Sequence, residues 1–384
     1  MKNYLLLFVF LITNFAFSQS INIGAKKTIF SNTLNEEREY YIHLPERYND
    51  KNSYPVLYVL DGDEYFWLAA STVRYFSNRG FMPETIVVGI NNRQNRDRDF
   101  TPTKDNYSPT GGGAENFLAF LTKELIPTIE KEYKTKSHKT LYGASYGGLF
   151  ALYTLFNHPD SFDNYIAISP SIFHDKGLVF NHAIEYFNKA NHTGKYVFLS
   201  LADESWTEMR LSFGNMITLF KSKALKANIR WDYRYYNDET HESTKLVGLN
   251  DGLRKLHQSW FVPFYQRDRG IVGLKDHYSM LNEQYGYPIE IPESLVNRIA
   301  YNNLRDGKKE STGSLFKYNV EHFPNSPNAY DSYGEFFERQ ENYKEAKKYY
   351  ELAVSVAKKN NQDQTPYIKS LDRINKTIKK EKKD

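Results

Sequence analysis

Between residues 38 and 261, short apolar runs rich in β-branched and aromatic residues alternate with stretches whose apolar positions recur at helical spacing. The runs 38–43, 55–60 (PVLYVL) and 85–90 (TIVVGI) read as strands, as do 139–142 (KTLY), 165–169, 196–201 (YVFLSL) and 229–236 (IRWDYRYY). Helical spacing marks 117–133, where Pro127 predicts a kink or a break, then 146–157 and 246–261. Strands that are apolar at nearly every position are buried on both faces. That predicts a mostly parallel sheet covered by helices, an α/β fold. Ligands of such sheets sit beyond the carboxyl ends of the strands, so the loops there are where chemistry is expected.

The two ends of the chain follow other patterns. Residues 1–18 read MKNYLLLFVFLITNFAFS: Lys2, an apolar run from Leu5 to Ile12 continued to Phe17, and Ala16 and Ser18 three and one positions before a cut at Gln19. This is the layout of a secretory signal, and the run is shorter than the roughly 20 apolar residues a membrane span needs. A periplasmic or secreted protein with no membrane span is expected. Near the other end, Tyr330, Tyr333, Gly334, Phe337, Ala346, Tyr350 and Ala353 follow the tetratricopeptide spacing, in which small residues let two antiparallel helices approach. The preceding window, 293–326, fits less well, with Thr312 and Asn319 where small residues belong. Tyr367, Leu371, Ile374 and Ile378 mark a last helix. A helical hairpin packed on the main domain is the reading preferred here over a groove for a protein partner, because stable arrays usually need three or more repeats. The expected domains are a signal at 1–18, an α/β domain at 19–265, a linker at 266–292 and a tetratricopeptide-like all-α region at 293–384.

Composition removes several classes of function. The 50 lysines and arginines nearly balance 46 acids, and the formal net charge is only +4. The segment 373–384 alone holds six basic and two acidic residues, so no basic surface for nucleic acid is indicated. There is no cysteine, which excludes disulfides, thiolate catalysis and cysteine-ligated zinc.

After KTLY the chain reads Gly143-Ala144-Ser145-Tyr146-Gly147-Gly148. A G-x-S-x-G turn between a strand and a helix is a nucleophile elbow: the serine hydroxyl projects clear of the sheet, and the flanking glycines avoid a collision where strand and helix cross. Such a serine needs a base, and in this fold acid and then histidine follow it along the chain. His241, in the polar loop NDETHES after the strand 229–236, is the base expected by order and placement; His257, His277 and His322 lie within or beyond the closing helix. The loop after YVFLSL offers Asp203 and Glu204, of which Glu204 is preferred as the acid, with capping of the helix that follows as the bland alternative. The oxyanion donors expected are the backbone N–H of Tyr146, next to the serine, and that of Asp63, in the Asp61-Gly62-Asp63 turn after PVLYVL.

Together PVLYVLDGDEYF, IVVGINNRQNRDRDFTP, LYGASYGGLFAL, the Ser169-Pro170-Ser171 segment and THES around His241 resemble the putative-esterase family of α/β-hydrolases, which includes siderophore esterases, feruloyl esterases and S-formylglutathione hydrolases. The resemblance covers about residues 25–262. It implies a Ser-His-acid hydrolase of carboxylic esters that uses no metal or organic cofactor, with Ser145, His241 and the Asp63 and Tyr146 amides in those roles. Where the family usually continues its SPS segment with tryptophan, this chain has Ile172-Phe173-His174. In siderophore esterases of this type an arginine near the Arg96-Asp97-Arg98-Asp99 loop faces the substrate, and Arg98 is singled out here; an ion pair pinning the loop is the structural alternative. The substrate ranked first is a catecholate siderophore ester, ahead of a feruloyl or acetyl carbohydrate ester, with a pocket lined by aromatics such as Tyr65, Phe66, Trp67 and Phe173. A rival of another class is a non-catalytic binding protein that uses the helical region.

Overall fold

The computed structural model describes residues 23–189 and 194–381. The expected signal segment at 1–18 lies outside the described residues, among which no helix is long and apolar enough to cross a membrane. Eight strands form a single sheet: β1 (Ala25–Ser31), β2 (Glu36–His43), β3 (Tyr54–Val59), β4 (Ile86–Ile90), β5 (Thr135–Ala144), β6 (Asn164–Ile168), β7 (Tyr196–Ala202) and β8 (Arg230–Tyr236). Their order is β1-β2-β4-β3-β5-β6-β7-β8. The first two strands run antiparallel at one edge, and β4 through β8 are mutually parallel.

Eight helices dress this sheet: α1 (Gly62–Asn78), α2 (Arg96–Phe100), α3 (Ala114–Phe120), α4 (Ile126–Glu132), α5 (Tyr146–Asn157), α6 (His174–Asn188), α7 (Thr207–Lys223) and α8 (Thr244–Leu256). Every residue of β3, β4, β6 and β7 is buried, because successive side chains feed two different cores. Tyr58, Leu60, Leu141 and Leu199 face the core under α3 to α7. Leu57, Val59, Tyr142 and Phe198 face the one under α1 and α8. This is the α/β-hydrolase architecture, with the ends of β3, β5, β6, β7 and β8 side by side along one rim.

Several elements differ from the sequence expectation. Strand β1 carries exposed Lys26 and half-buried Lys27, an edge position where paired backbone rather than apolar side chains makes the strand. Tyr65 and Phe66, expected in a pocket, are buried in α1 against the sheet, and of that aromatic run only Trp67 is exposed. Pro127 does not break the helix. It lacks the N–H that would bond Lys123, and the chain passes through a π-helical turn at Leu121–Leu125, in which Ile126 N–H reaches Leu121 O.

Beyond α8 the chain is helical: α9 (Phe264–Asp268), α10 (Gly270–Tyr285), α11 (Glu293–Arg305), α12 (Lys309–His322), α13 (Pro327–Glu338), α14 (Tyr343–Lys359) and α15 (Thr365–Glu381). Residues 266–292, expected as a linker, thus contain a 16-residue helix with its own buried face of Leu274, Tyr278, Leu281 and Tyr285. Tyr285 closes onto the α/β body: its hydroxyl lies 2.7 Å from His257 Nδ1, and its ring packs against His138 and Trp260. Further along, a Cβ on Gly334 would come within 2.8 Å of the Tyr350 ring, so glycine lets α13 and α14 close together.

The antiparallel edge is fastened to the rim by a buried ion cluster. Arg38 of β2 meets Asp99 of α2 at 2.8 Å and Glu36 at 2.9 Å, and donates to Asn91 O. Arg98 grips Glu36 with two nitrogens and Asp99 with two more contacts. Hydrogen bonds from Arg98, and then the charge and bond of Arg38, hold the Glu36 carboxyl down at about 2 despite partial burial. Asp99 is fully buried. Replacing Asp99 by Ala takes one of its two carboxylate partners from buried Arg38 and leaves it Glu36 alone, and a loss of about 3 kcal/mol is expected in urea-unfolding stability.

Candidate active site

Strand β5 leads directly into α5, and the residue between them, Ser145, has φ 57 and ψ −118. A non-glycine residue rarely adopts this backbone; it persists because the turn is fixed on both sides. Ser145 N–H bonds Ile168 O of β6, and Ser145 O accepts from both Leu149 N–H and Ser171 N–H. A Cβ at Gly143 would lie 2.1 Å from Gly147 O, so strand and helix can cross here only with glycine. The Ser145 hydroxyl is partly exposed at the rim, 3.4 Å from Ser171 Oγ.

The residues expected as acid and base follow the next strands along. Glu204, just past β7, is buried, and its Oε1 lies 2.7 Å from His241 Nδ1. His241 belongs to the turn between β8 and α8, and about a third of its side chain is exposed. Burial alone would push the Glu204 carboxyl up, but the hydrogen bond and charge of His241, helped by Ser169 and Lys245, hold it below the usual 4.5. Arg210 donates to the Glu204 carbonyl and fixes the backbone there. The alternative acid, Asp203, is exposed and contacts the β8–α8 turn through its backbone, Asp203 N–H to Glu239 O. Neither carboxylate caps α7, whose N-cap is Trp206. The start of α8, four residues past His241, is tied to β5, since Tyr142 Oη, three residues before Ser145, donates to Lys245 O. The serine hydroxyl bonds Ser171 in this arrangement, and no Ser145–His241 hydrogen bond is formed among the described residues. Such contacts commonly tighten only when substrate is bound.

The third element is the turn after β3. Asp61 has φ 50 and ψ 49 and starts α1, and a Cβ on Gly62 would come within 2.4 Å of Gly89 in the neighbouring strand. Hydrogen bonding in α1 begins with Glu64 N–H to Asp61 O, and in α5 with Leu149 N–H to Ser145 O. The amides of Asp63 and Tyr146 lie upstream of those bonds and have no backbone acceptor among the described residues, as expected of first-turn helical N–H groups. These two helix starts stand at the ends of adjacent strands, since β3 and β5 pair in parallel and Leu60 N–H bonds Tyr142 O.

Arg96 joins the two turns. Its Nε lies 3.0 Å from both Asp61 carboxylate oxygens, one terminal nitrogen donates to Ala144 O at 3.1 Å, and its guanidinium lies over the Tyr146 ring. Burial pushes the Asp61 carboxyl up to about 6, against the charge and hydrogen bond of Arg96. Arg98, singled out from the sequence as substrate-facing, is instead committed to Glu36 and Asp99; the arginine that reaches the elbow is two residues earlier. Chain order gave no way to tell them apart, because both stand in one RDRD run on a short helix that turns them to different sides.

A family model described as "Putative esterase" matches residues 31–216. The ferri-bacillibactin esterase BesA of Bacillus subtilis is 30% identical over 269 residues, 63% of this chain and 93% of that protein. A siderophore triacetylfusarinine C esterase of Aspergillus fumigatus is 32% identical over 264 residues, 59% of this chain and 88% of that protein. Among solved structures, an IroE-like serine hydrolase from Shewanella oneidensis superposes with a TM-score of 0.67 at 29% identity, covering 78% of this chain and 99% of the other.

Because folded Glu204 titrates below its unfolded value of 4.5, the Glu204–His241 pair contributes fully above that pH and less as pH falls through the folded value. On acidification from about pH 5 to pH 3, the wild-type urea midpoint is therefore expected to fall relative to that of Glu204→Gln, which has no carboxyl to protonate.

Proposed function

The chain belongs to the Putative esterase family and is a carboxylic ester hydrolase, and on that premise we propose that it cleaves its ester through Ser145, His241 and Glu204. The observation that carries this reading is the 2.7 Å pairing of Glu204 with His241 Nδ1, and a serine at a strained strand-to-helix turn in the same sheet supports it. With Nδ1 turned to the acid, Nε2 is the nitrogen left to accept a proton. Substrate binding turns the Ser145 hydroxyl from Ser171 to the imidazole. Ser145 Oγ attacks the ester carbonyl as its proton passes to His241, and the developing oxyanion is met by the Asp63 and Tyr146 amides. His241 then protonates the departing alkoxide, leaving an acyl-Ser145 ester. Water, deprotonated by His241, releases the acid and restores the serine. Glu204 stays ionised throughout and holds the imidazolium in place.

The names of two relatives, a ferri-bacillibactin esterase and a triacetylfusarinine C esterase, support a siderophore ester as the substrate. The pattern of residues 1–18 supports export, which would put the enzyme where an incoming siderophore is met.

With 4-nitrophenyl acetate, Ser145→Ala and His241→Ala are each expected to lower kcat by about 10⁴-fold or more, and the double variant to be no worse than either single, since the two act as one unit. Turnover of Ser145→Ala at the wild-type rate would refute the assignment. For the substrate, kcat/KM on a panel of a ferric siderophore lactone, its iron-free form, a feruloyl sugar ester and an acetylated sugar is expected to be highest on a lactone. A preference for either carbohydrate ester would overturn the siderophore reading.

A further inference from the structure

Three aromatic side chains meet at the rim of the site, each from a different loop. Tyr107 lies between α2 and α3, Phe173 between β6 and α6, and Trp206 between β7 and α7. Their ring centroids form a closed triangle: 5.9 Å from Tyr107 to Phe173, 5.7 Å from Phe173 to Trp206 and 6.2 Å from Trp206 to Tyr107. Phe173 is anchored against the main core, whereas Tyr107 is 63% and Trp206 52% exposed. Large apolar rings gathered in the open are unfavourable in water unless something covers them.

Their place in the chain says what is near. Phe173 follows Ser171, whose hydroxyl is 3.4 Å from that of Ser145, by two residues. Trp206 follows Glu204 by two residues, so the triangle borders both the nucleophile and the acid. The loop bearing Tyr107 is tied to the same floor. Asp105 accepts from Tyr107 N–H and from Asp175 N–H, and Thr103 donates to Asp175 at 2.7 Å. The chain after Phe173 turns through left-handed residues Asp175, Lys176 and Gly177, with φ of 44, 55 and 79. Adjacent His174 packs its ring against Tyr146. The platform is thus held by hydrogen bonds, an unusual backbone and the seating of Phe173, while the other two rings stay largely in solvent.

We infer that Tyr107, Phe173 and Trp206 receive an aromatic group carried on the acyl side of the substrate while its ester carbonyl lies at Ser145. A flat ring adds to such a cluster edge-to-face or offset, gaining contact area that an alkyl group of similar reach does not. The three residues set specificity and take no part in bond making. The inference rests on the reading of Ser145 as nucleophile.

N-benzoylserine methyl ester and N-acetylserine methyl ester differ only in the ring, so their kcat/KM ratio reads the platform alone. Wild type is expected to favour the benzoyl ester. Trp206→Ala and Tyr107→Ala are each expected to lower kcat/KM on it about tenfold, chiefly through KM, while the acetyl ester stays within about twofold. Trp206→Phe is expected to keep most of the preference, and thermal midpoints to stay near wild type, since both side chains are mostly exposed. No preference in wild type, equal losses on the two esters, or no loss on either would overturn the inference. Failure of the nucleophile reading looks different: Ser145→Ala would leave both esters turning over at the wild-type rate, whatever the ring variants do.

Discussion

Two backbone turns that most residues avoid face each other across adjacent strands, and one guanidinium holds them in register. Ser145 and Asp61 both have φ above 50 or at it, and Arg96 bonds the carboxylate of one turn and the carbonyl leading into the other. Without that tie the starts of α1 and α5, with their unbonded amides, could shift independently. An oxyanion site made of two separate helix starts works only if their spacing is kept to a fraction of an ångström. Arg96 is itself aimed by its surroundings. Asn92 links the two levels, donating to Asp99 in the buried ion cluster and accepting from Asp61 N–H. Charge buried at the edge of the sheet thereby steadies geometry at its rim.

Burial is put to a different use at Glu204. A buried carboxylate is costly when alone, and here it is stabilised by one imidazole, one neighbouring hydroxyl and the charge of Lys245. The partner histidine is left partly in solvent, on a turn whose backbone is tied to Asp203 and which leads into a helix tied to Tyr142. In the proposed mechanism the acid would be fixed and the base free to adjust, as suits an imidazole that serves the serine first and a water afterwards.

Much of the fold was legible because its central strands are buried on both faces and are apolar at nearly every position; β3, β4, β6 and β7 are the cases, with only Asn164 and Ser200 as small polar interruptions. Strand β1 was not, since two lysines occupy what is structurally an edge. Helix α1 escaped because EYFWLAA reads as an aromatic run, and only the sheet beneath it separates buried Tyr65 and Phe66 from exposed Trp67. At the site, local turn chemistry pointed to Ser145, and chain order to Glu204 and His241. The role of Arg96 was beyond reach. Its contacts span 35 and 48 positions, and nothing in an RDRD run says which arginine turns inward. The Tyr107, Phe173 and Trp206 triangle is likewise a product of three loops that meet only in space.

The joint between the α/β body and the helices that follow has a bearing on how such a chain could have been assembled. His257, buried at the end of α8, is driven well toward neutrality, down to about 3, and faces the Tyr285 hydroxyl. Cutting the chain near residue 265 would open His257 and His138 to water, taking the Tyr285 ring from both and the Tyr287 ring from His138. The appendage is therefore grafted rather than strung on. Losing the helices would require compensating changes on the body at the same time.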